Sequence, residues 1–208
     1  MHIKLNPETP QERNIQPIVD ILKNDGVIIY PIDTVYAFGC SILSKKGKEK
    51  IYHLKKLDPK DPLTFICNDI SQFEAYVLGL TTSRYRVLKK IGPSRITFIF
   101  KASKKVPKVM LSKRSTIGVR IPDASIPLKL SAHLGFPILS SSIPTEEGDD
   151  DMRQNPDLIH EKYEKLVDCV VDGGDLNLRQ SAIIDLSGER GEVIREGDVD
   201  LTLAEPLL

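Results

Sequence analysis

The sequence predicts a single-domain α/β protein in which helices pack against one twisted mixed sheet and form a concave cavity. Three observations predict it. The chain has 208 residues, enough for a sizeable core and few enough for one domain over residues 1–208. Its 40% hydrophobic and 28% charged residues are a globular balance. Short apolar runs alternate with amphipathic stretches, and no linker rich in glycine, proline or serine separates two halves.

The first elements follow from hydrophobic periodicity and from residues that end or cap helices. Residues 14–23 are predicted as a helix because their apolar side chains recur every three or four positions. Residues 27–30 (VIIY) then form a buried strand that Pro31 ends. Ser44 is a suitable N-cap for a helix that runs to about residue 56.

The rest of the chain continues the same alternation. A helix over residues 126–134 ends at Gly135, and Asn155 caps a further helix with Pro156 at its first position. The acidic stretch TEEGDDD at 145–151 is expected to be a loop. Further strands are predicted over 63–67, 96–100, 116–121, 137–139, 167–171, 182–186 and 193–195.

Cysteine usage and hydropathy indicate a cytoplasmic protein that does not contact membranes. Cys40, Cys67 and Cys169 are widely spaced beside apolar residues, which predicts three reduced, buried thiols and no disulfide framework. The N-terminus has no apolar core of signal-peptide length, and no run approaches the ~20 apolar residues of a membrane helix.

Charge is unevenly distributed although the net charge is zero. Residues 45–120 hold 19 Lys and Arg against 5 Asp and Glu, whereas residues 145–208 hold 6 against 18. Such a split indicates either a face that attracts phosphates or nucleic acid, or two blocks that neutralise each other in the fold.

Motifs for several common chemistries are missing from the sequence. It contains no GxxxxGK[ST], no GxGxxG and no HExxH, no serine in a G-x-S-x-G turn, and no ligand-spaced histidines. We therefore expect no protein-ligated metal. A site in this chain would be built from Lys, Arg, Ser and Thr, which suit anion binding and nucleotide chemistry.

Four ordered segments carry a resemblance to a known family. They are residues 30–39 (YPIDTVYAFG), 54–63 (LKKLDPKDPL), 116–122 (TIGVRIP), and the set ILSSS at 138–142, SAIID at 181–185 and IREG at 194–197. In order and spacing they resemble the YrdC-like family of threonylcarbamoyl-AMP synthases, in particular its YciO branch. The resemblance implies the YrdC-like fold.

The resemblance also implies a reaction. Members of this family join L-threonine, bicarbonate and ATP into threonylcarbamoyl-AMP and release pyrophosphate, for modification of adenosine 37 of tRNA. The implied partners are ATP or AMP, with Mg²⁺ carried by ATP, and L-threonine or another small amino acid. A carbamate oxygen attacks the α-phosphorus, so the site must position and stabilise charge rather than supply a nucleophile.

The site residues implied by the resemblance are matched one by one. Lys55 matches the lysine of the family's KxR motif and Arg120 an arginine aimed at the amino-acid carboxylate, and both are expected to be catalytic. Arg120 also lies in an apolar strand, where an unpaired charge is costly. The implied substrate- or nucleotide-binding residues are Thr34, Tyr36, Thr116, Ser140, Ser142, Ser181 and Arg195.

Departures from the family pattern resemble the YciO branch and leave two functions open. Leu57 replaces the arginine of KxR, and Pro144 replaces the asparagine of the SxN motif. The signature has Ile32 and Asp33 where the family has threonine and glutamate. One reading is a nucleotidyltransferase of weak or altered activity. The alternative is a double-stranded RNA or tRNA-binding module of the same fold.

Overall fold

The computed structural model describes residues 1–58, 61–111, 115–144 and 154–208. The loop expected at 145–151 lies outside them. Within the described residues, eleven strands join in one mixed sheet with helices packed against it, which confirms the expected fold class. None of the helices in this part of the chain has the length and apolar character needed to cross a membrane.

Strands and helices alternate along the chain. The strands are β1 (His2–Lys4), β2 (Val27–Pro31), β3 (Tyr36–Ser41), β4 (Thr64–Ile66), β5 (Val77–Leu78), β6 (Ile96–Ala102), β7 (Thr116–Arg120), β8 (Ile138–Ser142), β9 (Cys169–Asp172), β10 (Ala182–Asp185) and β11 (Glu192–Arg195). The helices are α1 (Glu12–Lys23), α2 (Lys45–Lys55), α3 (Ile70–Tyr76), α4 (Thr82–Ile91), α5 (Ser125–Leu134) and α6 (Pro156–Tyr163). Short 3-10 helices span Lys108–Met110 and Thr202–Leu207.

Strand order in the sheet differs from chain order. The sheet runs β1-β9-β2-β3-β8-β4-β7-β6-β10-β11, and β5 pairs with β6 beside this path. The pairs β1–β9, β9–β2, β4–β7 and β6–β10 are parallel, and the others are antiparallel. The segments from β3, β7 and β8, which the sequence motifs singled out, therefore lie close together at the centre of the sheet.

Hydrophobic cores lie on both faces of the sheet. Alternate residues of β2 divide between them: Val27 and Ile29 enter the larger core, and Ile28 and Tyr30 the smaller. Helices α2, α3, α4 and α6 contribute to the larger core, and α1 and α5 to the smaller. Because both faces of the sheet are covered, every residue of β2 and β3 is buried, and all but Ser41 are apolar or glycine.

Local sequence determines the helix ends as predicted. The Ser44 hydroxyl accepts a hydrogen bond from the N–H of Gly47 at 2.8 Å, and Asn155 accepts from the N–H groups of Asp157 and Leu158 at 2.9 and 3.1 Å. Gly135 ends α5 with a φ of 82°, which suits glycine because it has no Cβ.

Several elements were absent from the sequence-based prediction or too short in it. β3, α3 and α4 were not predicted, although Asp69 and Thr81 cap the two helices. β8 extends to Ser142, past the predicted end at residue 139. The prediction stopped short because the last residues of β8 are serines, which do not continue the apolar run. The three cysteines are buried and unbridged, as expected. Burial raises the pKa of Cys40 to about 12, so this thiol stays protonated at neutral pH.

Candidate functional site

A polar cavity of about 590 Å³ lies over the centre of the sheet. Its floor consists of residues on β3, β4, β6, β7, β8 and β10, and loops close its sides. The floor residues are Ala37, Thr64, Ile66, Thr97, Arg120, Ser140, Ser142 and Ile183. The walls include Ile32, Thr34, Val35, Pro62, Ser141, Leu178, Arg179, Gln180, Ser181, Arg195 and Asp198.

The floor is polar because strand side chains alternate between two faces. Phe65, Phe98 and Val119 point into the larger core, so their neighbours along each strand face the cavity. Those neighbours are mostly small or hydroxyl-bearing. Gly118 lies among them, and a Cβ there would come within 3.2 Å of the methyl carbon of Thr97. The sequence thus leaves an open, hydrogen-bonding surface where a helix could otherwise pack.

Arg120 is held at the base of the cavity by a buried ion pair. Its Nη2 donates to Oδ1 of Asp33, and both side chains are only 5% exposed. Its Nε donates to the carbonyl of Ser94 at 3.2 Å. Burial lowers the pKa of the Arg120 guanidinium, and the Asp33 carboxylate opposes that effect. Arg120 therefore has a fixed orientation, and Asp33 balances part of its charge.

A chain of buried hydroxyls runs under the β8 side of the floor. The Tyr30 hydroxyl donates to Oγ of Ser140 at 3.0 Å, and Ser140 donates to the carbonyl of Phe38 at 3.0 Å. Burial raises the pKa of Tyr30 well above its ordinary value, so its phenol remains a donor. Gly39 makes room for the ring, since a Cβ there would lie 2.7 Å from a ring carbon of Tyr30. Ser140 is thus rigidly oriented.

Lys55, at the end of α2, reaches the wall of the cavity. Its Nζ donates to Oγ of Ser141 at 2.6 Å, and Ser141 lines the cavity. Lys55 therefore places positive charge beside the β8 wall, although it is not itself among the lining residues.

The opposite wall is the segment 173–181, which connects β9 to β10 and which we call the strap. The N–H of Arg179 donates to the carbonyl of Thr34 at 3.2 Å. Arg195 on β11 donates to both the carbonyl and the hydroxyl of Ser181 at 2.8 Å. These bonds attach the strap to the signature segment on one side and to β11 on the other.

The structure brings most of the residues implied by the resemblance together. Six line the cavity: Thr34, Arg120, Ser140, Ser142, Ser181 and Arg195. Two lie elsewhere. The fully buried Tyr36 belongs to the larger core on the other face of the sheet, and Thr116 lies at the start of β7, outside the lining.

Several lining residues were not anticipated from the sequence. Thr64 and Thr97 occupy ordinary strand positions, and Arg179, Gln180 and Asp198 lie outside the family motifs. Arg95 lines a second cavity of about 320 Å³ with Asp33 and Asp123. The Arg120–Asp33 ion pair thus lies between the two cavities.

Of the two readings of the uneven charge distribution, neutralisation of the basic block by the acidic block is supported in part. Asp198, from the acidic C-terminal block, lines the cavity with the arginines. Lys50 on α2 forms a 2.9 Å ion pair with Asp168, which joins the two blocks directly. The fold brings together segments of opposite charge because β9, β10 and β11 pair within the same sheet as the basic part of the chain.

Comparison with known proteins assigns the family. The family model described as "Telomere recombination" (Sua5/YciO/YrdC) matches residues 20–197, or 178 of 208 residues. The chain belongs to the Sua5/YciO/YrdC family. It is 36% identical to the YciO protein of Escherichia coli, over 95% of both chains. The crystal structure of E. coli YciO superposes with a TM-score of 0.89, at 35% identity, and covers 100% of this chain and 99% of that one.

A synthase with the same fold is a more distant relative. The structure of Pyrococcus abyssi Sua5 complexed with L-threonine has a TM-score of 0.87 at 22% identity, and it covers 100% of this chain but 61% of Sua5. The P. abyssi threonylcarbamoyl-AMP synthase is 23% identical over 97% of this chain and 59% of that protein. The Sua5/YciO/YrdC family therefore includes threonylcarbamoyl-AMP synthases, and this chain resembles YciO more closely.

Proposed function

We propose that the cavity binds ATP and L-threonine and catalyses formation of threonylcarbamoyl-AMP, at a lower rate than an enzyme with complete KxR and SxN motifs. The observation that carries this proposal is the composition of the cavity. Guanidinium groups of Arg120, Arg179 and Arg195 share it with seven hydroxyl side chains. Such a lining recognises phosphates and carboxylates through charge-assisted hydrogen bonds. The names of the P. abyssi relatives support the choice of substrates.

The proposed reaction needs positioned charge. Bicarbonate takes up a proton and loses water to give carbon dioxide, and the threonine amine adds to carbon dioxide and releases a proton to form a carbamate. A carbamate oxygen then attacks the α-phosphorus of ATP and displaces pyrophosphate. Arg120, fixed by Asp33 and Ser94, would orient the amino-acid carboxylate. Lys55 and the hydroxyls of Ser141 and Ser142 would hold phosphate oxygens on the β8 side. Groups fixed before reaction stabilise developing charge without reorganising.

The residues present fit a nucleotide that brings its own metal ion. Within the described ranges, no three His, Cys, Asp or Glu side chains are grouped so as to hold a metal ion. The hydroxyl and guanidinium lining instead suits the phosphates that would carry Mg²⁺. When bound, Mg²⁺ would neutralise charge on the phosphates. The chain's own residues would orient the nucleotide and the amino acid.

The proposed rate is lower than that of a complete site because Leu57 and Pro144 replace the polar residues of the KxR and SxN motifs. Leu57 is half-buried against the larger core and offers no donor to phosphate, and Pro144 has neither a side-chain amide nor a backbone N–H. Loss of a phosphate-binding guanidinium removes about 1.5–3 kcal/mol of charge-assisted interaction. We therefore expect turnover roughly tenfold to a hundredfold below that of a complete site.

A second candidate function is binding of double-stranded RNA or tRNA. The observation that favours it is a run of exposed lysines on β6 and the segment after it, Lys101, Lys104, Lys105 and Lys108. In the described part of the chain, none of the four forms a salt bridge. Binding of this kind would follow the phosphate backbone and weaken steeply with salt.

One experiment separates the two functions. The protein is incubated with ATP, Mg²⁺, bicarbonate and each amino acid in turn, and pyrophosphate release is followed. The proposal expects release that depends on L-threonine and is lost in Arg120→Ala, whereas Arg190→Ala, an exposed arginine outside the cavity, retains it. Absence of ATP binding at millimolar concentrations, together with tight and salt-sensitive RNA binding, would reject the enzyme in favour of the RNA-binding module.

A further inference from the structure

The strap contributes a guanidinium to the cavity that no family motif includes. Arg179 is exposed and lines the cavity, and within the described residues its side chain forms no hydrogen bond or ion pair. The other two arginines of the lining differ in this respect. Arg120 is bonded to Asp33 and Ser94, and Arg195 to Ser181. Arg179 therefore has its donors available for a ligand.

The main chain of the strap is fixed although the Arg179 side chain is exposed. The N–H of Arg179 donates to the Thr34 carbonyl at 3.2 Å. The N–H of Gln180 donates to Oδ2 of Asp198 at 2.6 Å, and the N–H of Asp198 returns a bond to the Gln180 carbonyl at 2.7 Å. A guanidinium on a fixed main chain loses less entropy when it binds a ligand than one on a flexible loop.

Tyr36 anchors the start of the strap. Its hydroxyl accepts a hydrogen bond from the N–H of Gly173 at 3.0 Å and donates to the carbonyl of Gly174 at 2.8 Å. Burial raises the pKa of Tyr36 well above its ordinary value, so the phenol keeps the proton that it donates. Gly174, at a φ of +85°, turns the chain at this point, and its N–H donates to the Asp172 carboxylate at 2.8 Å. The buried hydroxyl thus determines where the strap leaves β9.

Hydrogen bonds and strand pairing place Arg179 at the same end of the cavity as Lys55. Arg179 is bonded to Thr34, which precedes β3, and Ala37 of β3 pairs with Ser142 of β8. Ser141, the neighbour of Ser142, accepts the Lys55 bond. Arg179 therefore lies near the β3–β8 end of the cavity, to which Lys55 is also joined through its hydrogen bond to Ser141. An exposed guanidinium in the lining suits a strongly hydrated polyanion, such as a triphosphate chain, better than a ligand that needs a buried site.

We propose that Arg179 is a phosphate-binding residue of this cavity and that it supplies a guanidinium in place of the KxR arginine, which is Leu57 in this chain. Tyr36 positions Arg179 through its hydrogen bonds to the strap. The proposal rests on the proposed function in one respect, since it assumes that the anion is the phosphate chain of the nucleotide. It gives Tyr36 an indirect role, in place of the substrate contact that the resemblance implied.

The test compares binding of ATP and of inorganic pyrophosphate by calorimetry in four proteins. These are the wild type, Arg179→Ala, Arg179→Lys and the control Arg190→Ala. Arg179→Ala loses one charge-assisted contact, so its affinity for both ATP and pyrophosphate should be roughly tenfold to a hundredfold lower than that of the wild type. Arg179→Lys should recover part of this affinity, because it restores the charge without the fork. Arg190→Ala should bind both ligands as the wild type does.

Tyr36→Phe tests the positioning role. The ring still fills the core, so the free energy of unfolding should fall only by the contribution of the two hydrogen bonds that the hydroxyl forms with Gly173 and Gly174, and phosphate affinity should fall severalfold. In the Arg179→Ala background the same change should no longer affect phosphate affinity, because the residue that Tyr36 positions is gone. A purely structural role would weaken binding equally in both backgrounds and would overturn the assignment to Tyr36.

Failure of this inference can be told apart from failure of the proposed function. Arg179-dependent binding of pyrophosphate by a protein that releases none from ATP would support the phosphate site and reject the synthase reaction. Threonine-dependent pyrophosphate release with the same KM for ATP in wild type and Arg179→Ala would keep the reaction and overturn the role of Arg179. A wild type that binds neither ATP nor pyrophosphate would overturn both the role of Arg179 and the proposed function.

Discussion

Replacing Asp33 by asparagine should strongly destabilise the protein, because it leaves the Arg120 charge buried without its partner. Both side chains are 5% exposed, so water cannot compensate for the lost carboxylate. Breaking a buried ion pair by removal of one partner costs about 3–5 kcal/mol of folding free energy. The introduced amide keeps an oxygen that can accept the N–H of Asp123, as Oδ2 of Asp33 does in the wild type. The expected loss therefore comes mainly from the unpaired charge.

Urea unfolding of the wild type and Asp33→Asn measures this loss. For a chain of this size, a loss of about 3 kcal/mol also lowers Tm by about 6–12 °C. The matched control is Glu49→Gln, which removes the ion pair of Lys45 and Glu49, whose side chains are 68% and 62% exposed. An exposed pair at this helical spacing contributes at most about 0.5 kcal/mol.

A double variant separates charge from packing. Asp33→Asn combined with Arg120→Met removes both charges, so it should be more stable than Asp33→Asn alone. If Asp33→Asn loses no more stability than Glu49→Gln, the reasoning about this ion pair is refuted. Arg120→Met alone is also measured. The reasoning is equally refuted if the stability losses of Asp33→Asn and Arg120→Met add up to the loss in the double variant.

Three further changes test other parts of the structure. Leu57→Arg, which restores the KxR fork, should raise kcat/KM for ATP roughly tenfold to a hundredfold, and a lower or unchanged value would contradict the role given to position 57. Gly118→Val should weaken ATP and amino-acid binding at least about tenfold in calorimetry, since its Cβ would lie 3.2 Å from Thr97 on the cavity floor, and should reduce stability by about 1–3 kcal/mol. The wild type should lose stability as the pH falls below about 4, and Asp168→Asn should lose less stability over the same pH range, as measured by urea unfolding. Although burial opposes its ionisation, the Val27 N–H and the Lys50 ammonium lower its pKa, so its contribution is present above the ordinary value and disappears as the pH falls.

The fold was predictable where local chemistry and tertiary packing agree. The N-caps at Ser44 and Asn155 and the glycine after α5 mark helix ends that the structure confirms. β3 was not predicted because both of its faces are buried and it carries no alternation. β8 was predicted too short for the opposite reason, since its serines face a cavity rather than a core.

The site was predictable only where residues belong to ordered motifs. Thr34, Arg120 and Ser140 lie far apart in sequence, and their matching to the family signature anticipated that they share one cavity. Thr64 and Thr97 gave no such signal, because a hydroxyl on a strand is ordinary until the face it occupies is known. Arg179 and Gln180 of the strap were missed because they belong to no regular element or family motif, and their position depends on distant contacts.

The measurement that tests the proposed function most directly is detection of its product. The protein is incubated with ATP, Mg²⁺, L-threonine and ¹³C-bicarbonate, and the mixture is analysed by mass spectrometry. The proposed function predicts an adduct of AMP with the mass of threonylcarbamoyl-AMP, with the heavy carbon, and it predicts none with Arg120→Ala. Absence of this adduct from a wild type that binds ATP and L-threonine would contradict the proposal.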